Sequence, residues 1–368
     1  MLLKGELPMP SLTEKIKDKA KEIGFDLVGI TSAEPFRKAL EILKKRELSE
    51  FTTKDLKMLT SPRLHLPGAR TIISLAMSYA SSERFTDEEA YIALYARGRD
   101  YHHVFREKME LLMDYIKELR IDARMKAYTD TGPILEREIA RRAGLGWIGK
   151  NNNLINPRFG SYLLLGEILT NLDLELDQEI EPGCGKCERC IQSCPGNALI
   201  EPYYLDPEQC ISYLTQKRGI LPEQERKKIG RNLWGCDTCQ RVCPYNRDIP
   251  VDLHLEFTPL LKGDFKKVLG FMKHKMELKW QESALSWRGL RILKRNTLIN
   301  IANSGNNEYI PLLEKELNNP SPVLRAYAVW ALGELGSENS RKILRELYRS
   351  EKDQRVRKEI KEALEKLA

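Results

Sequence analysis

Residues 184–195 read Cys184-Gly185-Lys186-Cys187-Glu188-Arg189-Cys190-Ile191-Gln192-Ser193-Cys194-Pro195. Two residues separate each of the first three cysteines. The fourth follows after three and stands directly before a proline. A shorter run, Cys236-Asp237-Thr238-Cys239-Gln240-Arg241-Val242-Cys243-Pro244, lies further along, and Cys210 stands alone between the two. These are all 8 cysteines of the 368-residue chain.

The order C-x2-C-x2-C-x3-C-P is the ligand pattern of bacterial ferredoxins. Close spacing lets one tight loop wrap three corners of a cuboidal cluster. Backbone N–H groups in such a loop can face the sulfides and offset their charge. The fourth cysteine is carried away on the next turn and, in two-cluster ferredoxins, ligates the other cluster. On that rule one [4Fe–4S] cluster takes Cys184, Cys187, Cys190 and Cys243, and the other takes Cys194, Cys210, Cys236 and Cys239. Two zinc sites would also consume eight cysteines. Zinc does not ask for three successive x2 spacings followed by x3-C-P. Disulfides are not expected in a chain that reads as cytosolic.

Outward from this segment the chain divides in three. Residues 177–183 are acidic and contain Pro182 and Gly183, which marks a boundary. Before it, Ser11-Leu12-Thr13-Glu14 is a capping box for a helix that Gly24 ends. Apolar runs at 25–30, 71–79, 125–128 and 162–169 predict strands, and 103–119 is helix-periodic. Asp130-Thr131-Gly132-Pro133 reads as a helix start. The expected architecture is a multidomain α+β protein: an N-terminal α/β domain over residues 1–176, a dicluster ferredoxin-like domain over 177–254, and all-α HEAT-like repeats over 255–368. The repeats show as helices around Lys294–Ala302, Val323–Gly336 and Val356–Leu364, at steps of 31 and 32 residues. Arg325 and Arg357 recur at one repeat position, where an ion pair between repeats is expected.

Hydrophobic residues make up 42% and charged residues 31%, a profile that excludes a disordered chain. No apolar run approaches the roughly 18 residues of a membrane span. Met1–Pro10 carries one lysine and no apolar core of a secretory signal, so a cytoplasmic protein without membrane attachment is expected. The net charge of +7 is uneven. Residues 255–368 hold 22 Lys and Arg against 15 Asp and Glu, whereas the rest holds 38 of each. A basic surface confined to the last third fits an anionic partner such as nucleic acid, or a solvated helical face.

Further segments join these: Gly98-Arg99-Asp100-Tyr101-His102, Asp130-Thr131-Gly132-Pro133, Gly144-Leu145-Gly146-Trp147-Ile148-Gly149-Lys150-Asn151, Gly160-Ser161 and Leu165-Gly166-Glu167-Ile168-Leu169-Thr170. With the cysteine runs and the repeats in the same order, nearly the whole chain resembles the epoxyqueuosine reductases. That resemblance implies reduction of epoxyqueuosine at the tRNA wobble position, with two electrons and two protons and release of water. It implies cobalamin in the N-terminal domain beside the two [4Fe–4S] clusters. It places the general acid at Asp130. Corrin contacts carry over to Asp130, Lys150, Asn151, Asn153, Leu154, Ser161, Gly235, Cys236 and Asp237, with Asn152 departing from the usual pattern. It places tRNA contacts at Lys217 and Arg218, and Arg99, Tyr101 and His102 are expected to line the base pocket. An electron donor of unspecified identity and a monomeric enzyme complete the expectation. The competing readings are a corrinoid reductase of a small molecule, as in reductive dehalogenases, and a non-catalytic RNA-binding adaptor with structural zinc. The basic repeats disfavour the first.

Overall fold

The computed structural model describes residues 10–46, 48–83, 90–272 and 276–368. Residues 1–9, on which the reading of an absent secretory signal rests, lie outside the described residues. The N-terminal part is built on a four-stranded sheet in the order Leu27–Ser32, Thr71–Ser78, Leu163–Thr170, Met125–Tyr128. Every pairing in it is antiparallel. The two central strands are buried on both sides, which is why their sequences are apolar almost without a break.

One face of the sheet is covered by the helices Leu12–Ile23 and Tyr101–Leu119. Ile16, Ala20, Phe105, Met109, Leu112 and Ile116 meet Ile30, Ile73, Leu75 and Ile168 there. The capping box forms as read, with Ser11 N–H donating to Glu14 Oε2 at 2.7 Å and Glu14 N–H to Ser11 Oγ at 3.2 Å. The opposite face is covered by the short helix Glu136–Arg142, through Ile139 and Ala140.

The expected helix start at Asp130 is not there. The helix begins at Glu136, and its N-cap position is Leu135, which makes no side-chain cap. Asp130 has φ 52°, in the left-handed region, and its backbone N–H donates to the Glu136 carboxylate. The chain between them runs irregularly past the Tyr128 ring. Asp130 is therefore not a cap, and its carboxylate is available for other work.

The cysteine segment has little regular structure and is fastened to both neighbours. Asn232–Trp234 pairs in parallel with Tyr91–Ile92 of the N-terminal part. On the other side the helix Leu290–Ser304 presents Arg295, 1% exposed, whose guanidinium donates to the carbonyls of Leu214, Thr215 and Lys217. Its neighbour Asn296 donates to the carbonyls of Thr215 (2.7 Å) and Leu233 (2.8 Å). Tyr327 and Glu359, from later repeats, hold Leu221 N–H and the Arg226 guanidinium. One apolar core runs through all of these regions.

The repeat helices are Leu290–Ser304, Pro322–Leu335 and Gln354–Lys366, each at a position read from the sequence. Arg325 pairs bidentately with Glu351, at 2.8 and 2.9 Å, between repeats as expected. Arg357 forms no ion pair among the described residues; it donates to the carbonyls of Tyr348 and Glu351. Among the described residues no helix is long and apolar enough to cross a membrane.

Candidate functional site

All eight cysteines are free thiols. The Cys190 thiol lies within electrostatic reach of Cys184, Cys187 and Cys243, and the Cys243 thiol within reach of Cys184 and Cys187. Cys239 is likewise affected by Cys236, Cys210 and Cys194. The chain thus brings the thiols together as two quartets, each drawing one member from the other run. The first quartet lines one pocket, shared with Lys150 and Asn151. A cavity walled by four thiols fits a polynuclear cluster. Among the described residues no three His, Cys, Asp or Glu side chains close on a single ion.

Burial raises the Cys190, Cys210, Cys236, Cys239 and Cys243 thiols, and neighbouring thiols add to this at Cys190, Cys210, Cys239 and Cys243. Iron would replace the protons and remove that repulsion. Donors already face the sulfurs. Ala198 N–H reaches Cys194 Sγ at 3.3 Å, and Asn153 Nδ2 stands 3.9 Å from Cys239 Sγ.

The glycine-rich turn sits between the two quartets. It joins the two-residue strands Trp147–Ile148 and Leu154–Ile155. Lys150 and Asn151 border the first quartet and Asn153 the second. Leu154 is buried in the hairpin. The Nδ2 amides of Asn151 and Asn152 are buried and have no hydrogen-bond partner among the described residues. Leaving such donors unpaired costs about 1–3 kcal/mol each, so the turn is built for a ligand with acceptors. Corrin side chains end in amides and fit that demand.

Ser161, Gly235 and Asp237 are structural supports here. Ser161 N–H donates to Asn246 Oδ1 at 2.7 Å, and its hydroxyl donates to Gln240 Oε1 at 2.9 Å. Gly160 has φ 64°, and a Cβ there would fall 1.9 Å from Asn246 Oδ1, so only glycine allows this approach. Gly235, φ 67°, packs on Ala93 and Tyr95, and its N–H is taken by Thr215 Oγ1. Asp237 is 1% exposed and accepts from the Tyr91 hydroxyl (2.7 Å) and Leu94 N–H (2.8 Å). Burial raises its carboxyl.

Asp130 lies at the surface, with its side chain 58% exposed. Its Oδ2 accepts from the Tyr101 hydroxyl at 2.7 Å, and His102 Nε2 stands 3.4 Å away, at ion-pair distance but off a hydrogen-bond line. His102 Nδ1 is fixed by Asp100 at 2.7 Å. Packing around the Asp130 carboxyl would raise it; His102, Tyr101 and Arg137 outweigh that and hold it below the usual carboxylate range. Burial lowers the His102 imidazole, but Asp100 and Asp130 prevail and lift it to about 9. The resting proton therefore sits on His102 and not on Asp130. These side chains, and not a helix end, oppose the protonated state that a general acid needs.

A chain of contacts links this carboxylate to the second quartet. The rings of Tyr101 and Tyr95 lie 6.2 Å apart, and Tyr95 accepts from Trp234 Nε1 at 3.2 Å, two residues before Cys236. Arg99 is engaged with Glu107.

Of the two cations read as RNA contacts, Lys217 is held between Glu208 and Glu225, at 3.0 Å from each. Arg218 is exposed. Sequence reasoning missed what lies beside it. Arg288 stacks on Phe51 and Trp287, at 4.3 and 4.0 Å, and Trp287 is 51% exposed. An exposed aromatic beside arginines suits an unstacked nucleotide base.

Comparison with known proteins gives consistent results. Family descriptions match as "Epoxyqueuosine reductase QueG, DUF1730" over residues 60–131, "4Fe-4S double cluster binding domain" over 183–246 and "HEAT repeats" over 290–365. The epoxyqueuosine reductase of Bacillus subtilis (strain 168) is 36% identical over 370 residues, covering 97% of this chain and 96% of that protein. A crystal structure of a selenomethionine-labelled epoxyqueuosine reductase superposes with TM-score 0.93 at 36% identity, covering 97% of this chain and 99% of that one. Another, of an epoxyqueuosine reductase with an epoxyqueuosine-modified tRNA-Tyr stem loop, gives TM-score 0.91 at 36% identity, covering 97% and 98%.

Proposed function

The chain belongs to the epoxyqueuosine reductase family, and we propose that it reduces epoxyqueuosine to queuosine at the wobble position of tRNA. The observation that carries the reading is the Asp130 carboxylate, held at the surface by Tyr101 and joined through Tyr95 and Trp234 to the second thiol quartet, in a chain 36% identical over 97% of its length to such an enzyme. The reaction consumes one epoxide, two electrons and two protons and yields one alkene and one water. When bound, the two [4Fe–4S] clusters supply electrons singly, and cobalamin accumulates the pair.

The chain's own groups do the rest. The quartet of Cys184, Cys187, Cys190 and Cys243 holds one cluster, and Cys194, Cys210, Cys236 and Cys239 hold the other. The unpaired amides of Asn151 and Asn152 are donors for the corrin periphery, with Lys150, Asn153 and Leu154 beside them. Ser161, Gly235 and Asp237 shape the floor under it. Asp130 delivers a proton to the leaving oxygen. Tyr101 fixes the carboxylate, and His102 keeps a proton next to it. Arg218 and the Arg288–Trp287 stack meet the RNA, while Lys217 serves mainly to balance Glu208 and Glu225. Residues 1–176, 177–254 and 255–368 form the catalytic, cluster and RNA-binding domains. The enzyme works as a cytoplasmic monomer fed by an electron donor of unspecified identity.

The test is anaerobic incubation with reductant, cobalamin and tRNA carrying epoxyqueuosine. Loss of one oxygen from the nucleoside mass is the expected result. No conversion with all cofactors loaded, or a colourless zinc-bound protein, would overturn the reading.

A further inference from the structure

Two carboxyl groups beside Asp130 have no part in the scheme above. Glu167 lies in the middle of the central strand Leu163–Thr170 and is fully buried, at 0% exposure. Neither of its oxygens has a hydrogen-bond donor among the described residues. Its neighbours across the sheet are Ser74 and Tyr128, and Ser74 Oγ is likewise buried without a partner among the described residues. Ser74 and Glu167 face the helix Glu136–Arg142, in the gap between two apolar clusters. Glu136 opens that helix, and its carboxyl meets that of Glu167. The same Glu136 side chain accepts the backbone N–H of Asp130.

Two ionised carboxylates cannot share such a site, whereas one proton held between them satisfies both. The surrounding charges agree. Burial and then the charge of Asp130 lift Glu136 to about 8, against the opposing pull of Asp130 N–H, Arg137 and His102. Burial and the facing Glu136 carboxyl push Glu167 well above the carboxylate range. Burying an acid without donors costs stability, so one kept here calls for a use.

We infer that Glu136 and Glu167 form a proton store that reloads Asp130 within the catalytic cycle. The inference rests on Asp130 being the proton donor. Asp130, loaded from the adjacent His102 once substrate is seated, gives that proton to the leaving oxygen and returns to a carboxylate. The Glu136–Glu167 pair then passes its proton to that carboxylate and later regains one from water. Only O–H bonds break and form, no electron moves, and two protons reach the oxygen in all. With substrate seated over Asp130, solvent is excluded from the front, and the store lies behind, inside the protein. Neither glutamate touches substrate; both act through Asp130.

The test compares Glu136→Gln, Glu167→Gln and Asp130→Asn in the holoenzyme, with cluster and corrin absorbance as the check on folding. Infrared spectra of protein labelled with carbon-13 glutamate read the store without turnover. At neutral pH the unsubstituted enzyme shows a protonated-carboxyl C=O band that moves with the label and is missing from the double glutamine variant. Above neutral pH the turnover rate of Glu136→Gln falls about tenfold, and its alkaline limb moves to lower pH. Glu136→Asp restores part of the rate. If no glutamate carboxyl band exists, or both glutamine variants keep the unsubstituted pH profile while Asp130→Asn is inactive, the store is excluded and the Asp130 reading stands. If Asp130→Asn turns over at the full rate, the Asp130 reading falls, and the store with it. Should Glu167→Gln fail to load cofactors, Glu136→Gln and the infrared band decide.

Discussion

The Tyr101 hydroxyl donates to Asp130 Oδ2 across 2.7 Å, joining the first residue of the long helix to a loop 29 residues later. This bond lowers the carboxyl's proton affinity. Asp130→Asn keeps the hydrogen bond and loses the proton. Its single-turnover rate is expected to fall by about 10²–10⁴, with iron and cobalt content unchanged. Tyr101→Phe removes a stabiliser of the carboxylate, so the Asp130 titration in the pH–rate profile moves upward.

His102 gives stability a pH dependence of definite sign. Its folded value of about 9 exceeds the ordinary 6.5. The contribution is therefore complete below about 6.5 and is lost as pH rises through about 9. Urea midpoints measured across that window should decline with pH, and His102→Gln should flatten the slope.

Cys243 stands in the second cysteine run but faces Cys184 and Cys187. Cys243→Ala should damage the first cluster and leave the one held by Cys236 and Cys239. Electron paramagnetic resonance of the reduced protein distinguishes the two. Loss of the second signal instead would show that the runs do not exchange ligands.

Gly235→Ala is expected to act on the second cluster alone. The new methyl would stand 2.5 Å from Ala93 Cβ at a backbone φ of 67°. The strand must then shift just before Cys236, and iron content should fall by about half. Iron content equal to that of the unsubstituted protein would contradict this.

Arg226 and Glu359 form a buried pair, 6% and 10% exposed, between the cluster domain and the last repeat helix. Glu359→Gln leaves a buried guanidinium without its counter-charge and should cost about 3–5 kcal/mol in denaturant titration. A double change of both residues to apolar ones should cost much less.

The parts legible in the sequence are those with local causes. Covalent spacing fixes the cysteine loops, and 3.6-residue periodicity with small residues fixes the repeat helices. The capping box at Ser11 needs only four neighbouring residues. What stayed hidden depends on distant contacts. Pro133 looks like a helix opener, yet Asp130 N–H finds Glu136, and the helix starts there. The stacking of Arg288 on Phe51 and Trp287 joins residues more than 200 positions apart, beyond the reach of any pattern. Glu167 did leave a mark, since it is the one charge in Leu163–Thr170. Reading it as more than an irregular strand residue required knowing that Glu136 stands against it.

Arg295 and Asn296 hold the carbonyls of Leu214, Thr215 and Leu233. The loops that carry Cys210 and Cys236 are thus finished by side chains synthesised some sixty to eighty residues later. During translation the thiols of the second quartet emerge before the parts that lock them in place. The loops of that quartet are consequently completed only after the C-terminal helices have left the ribosome and docked.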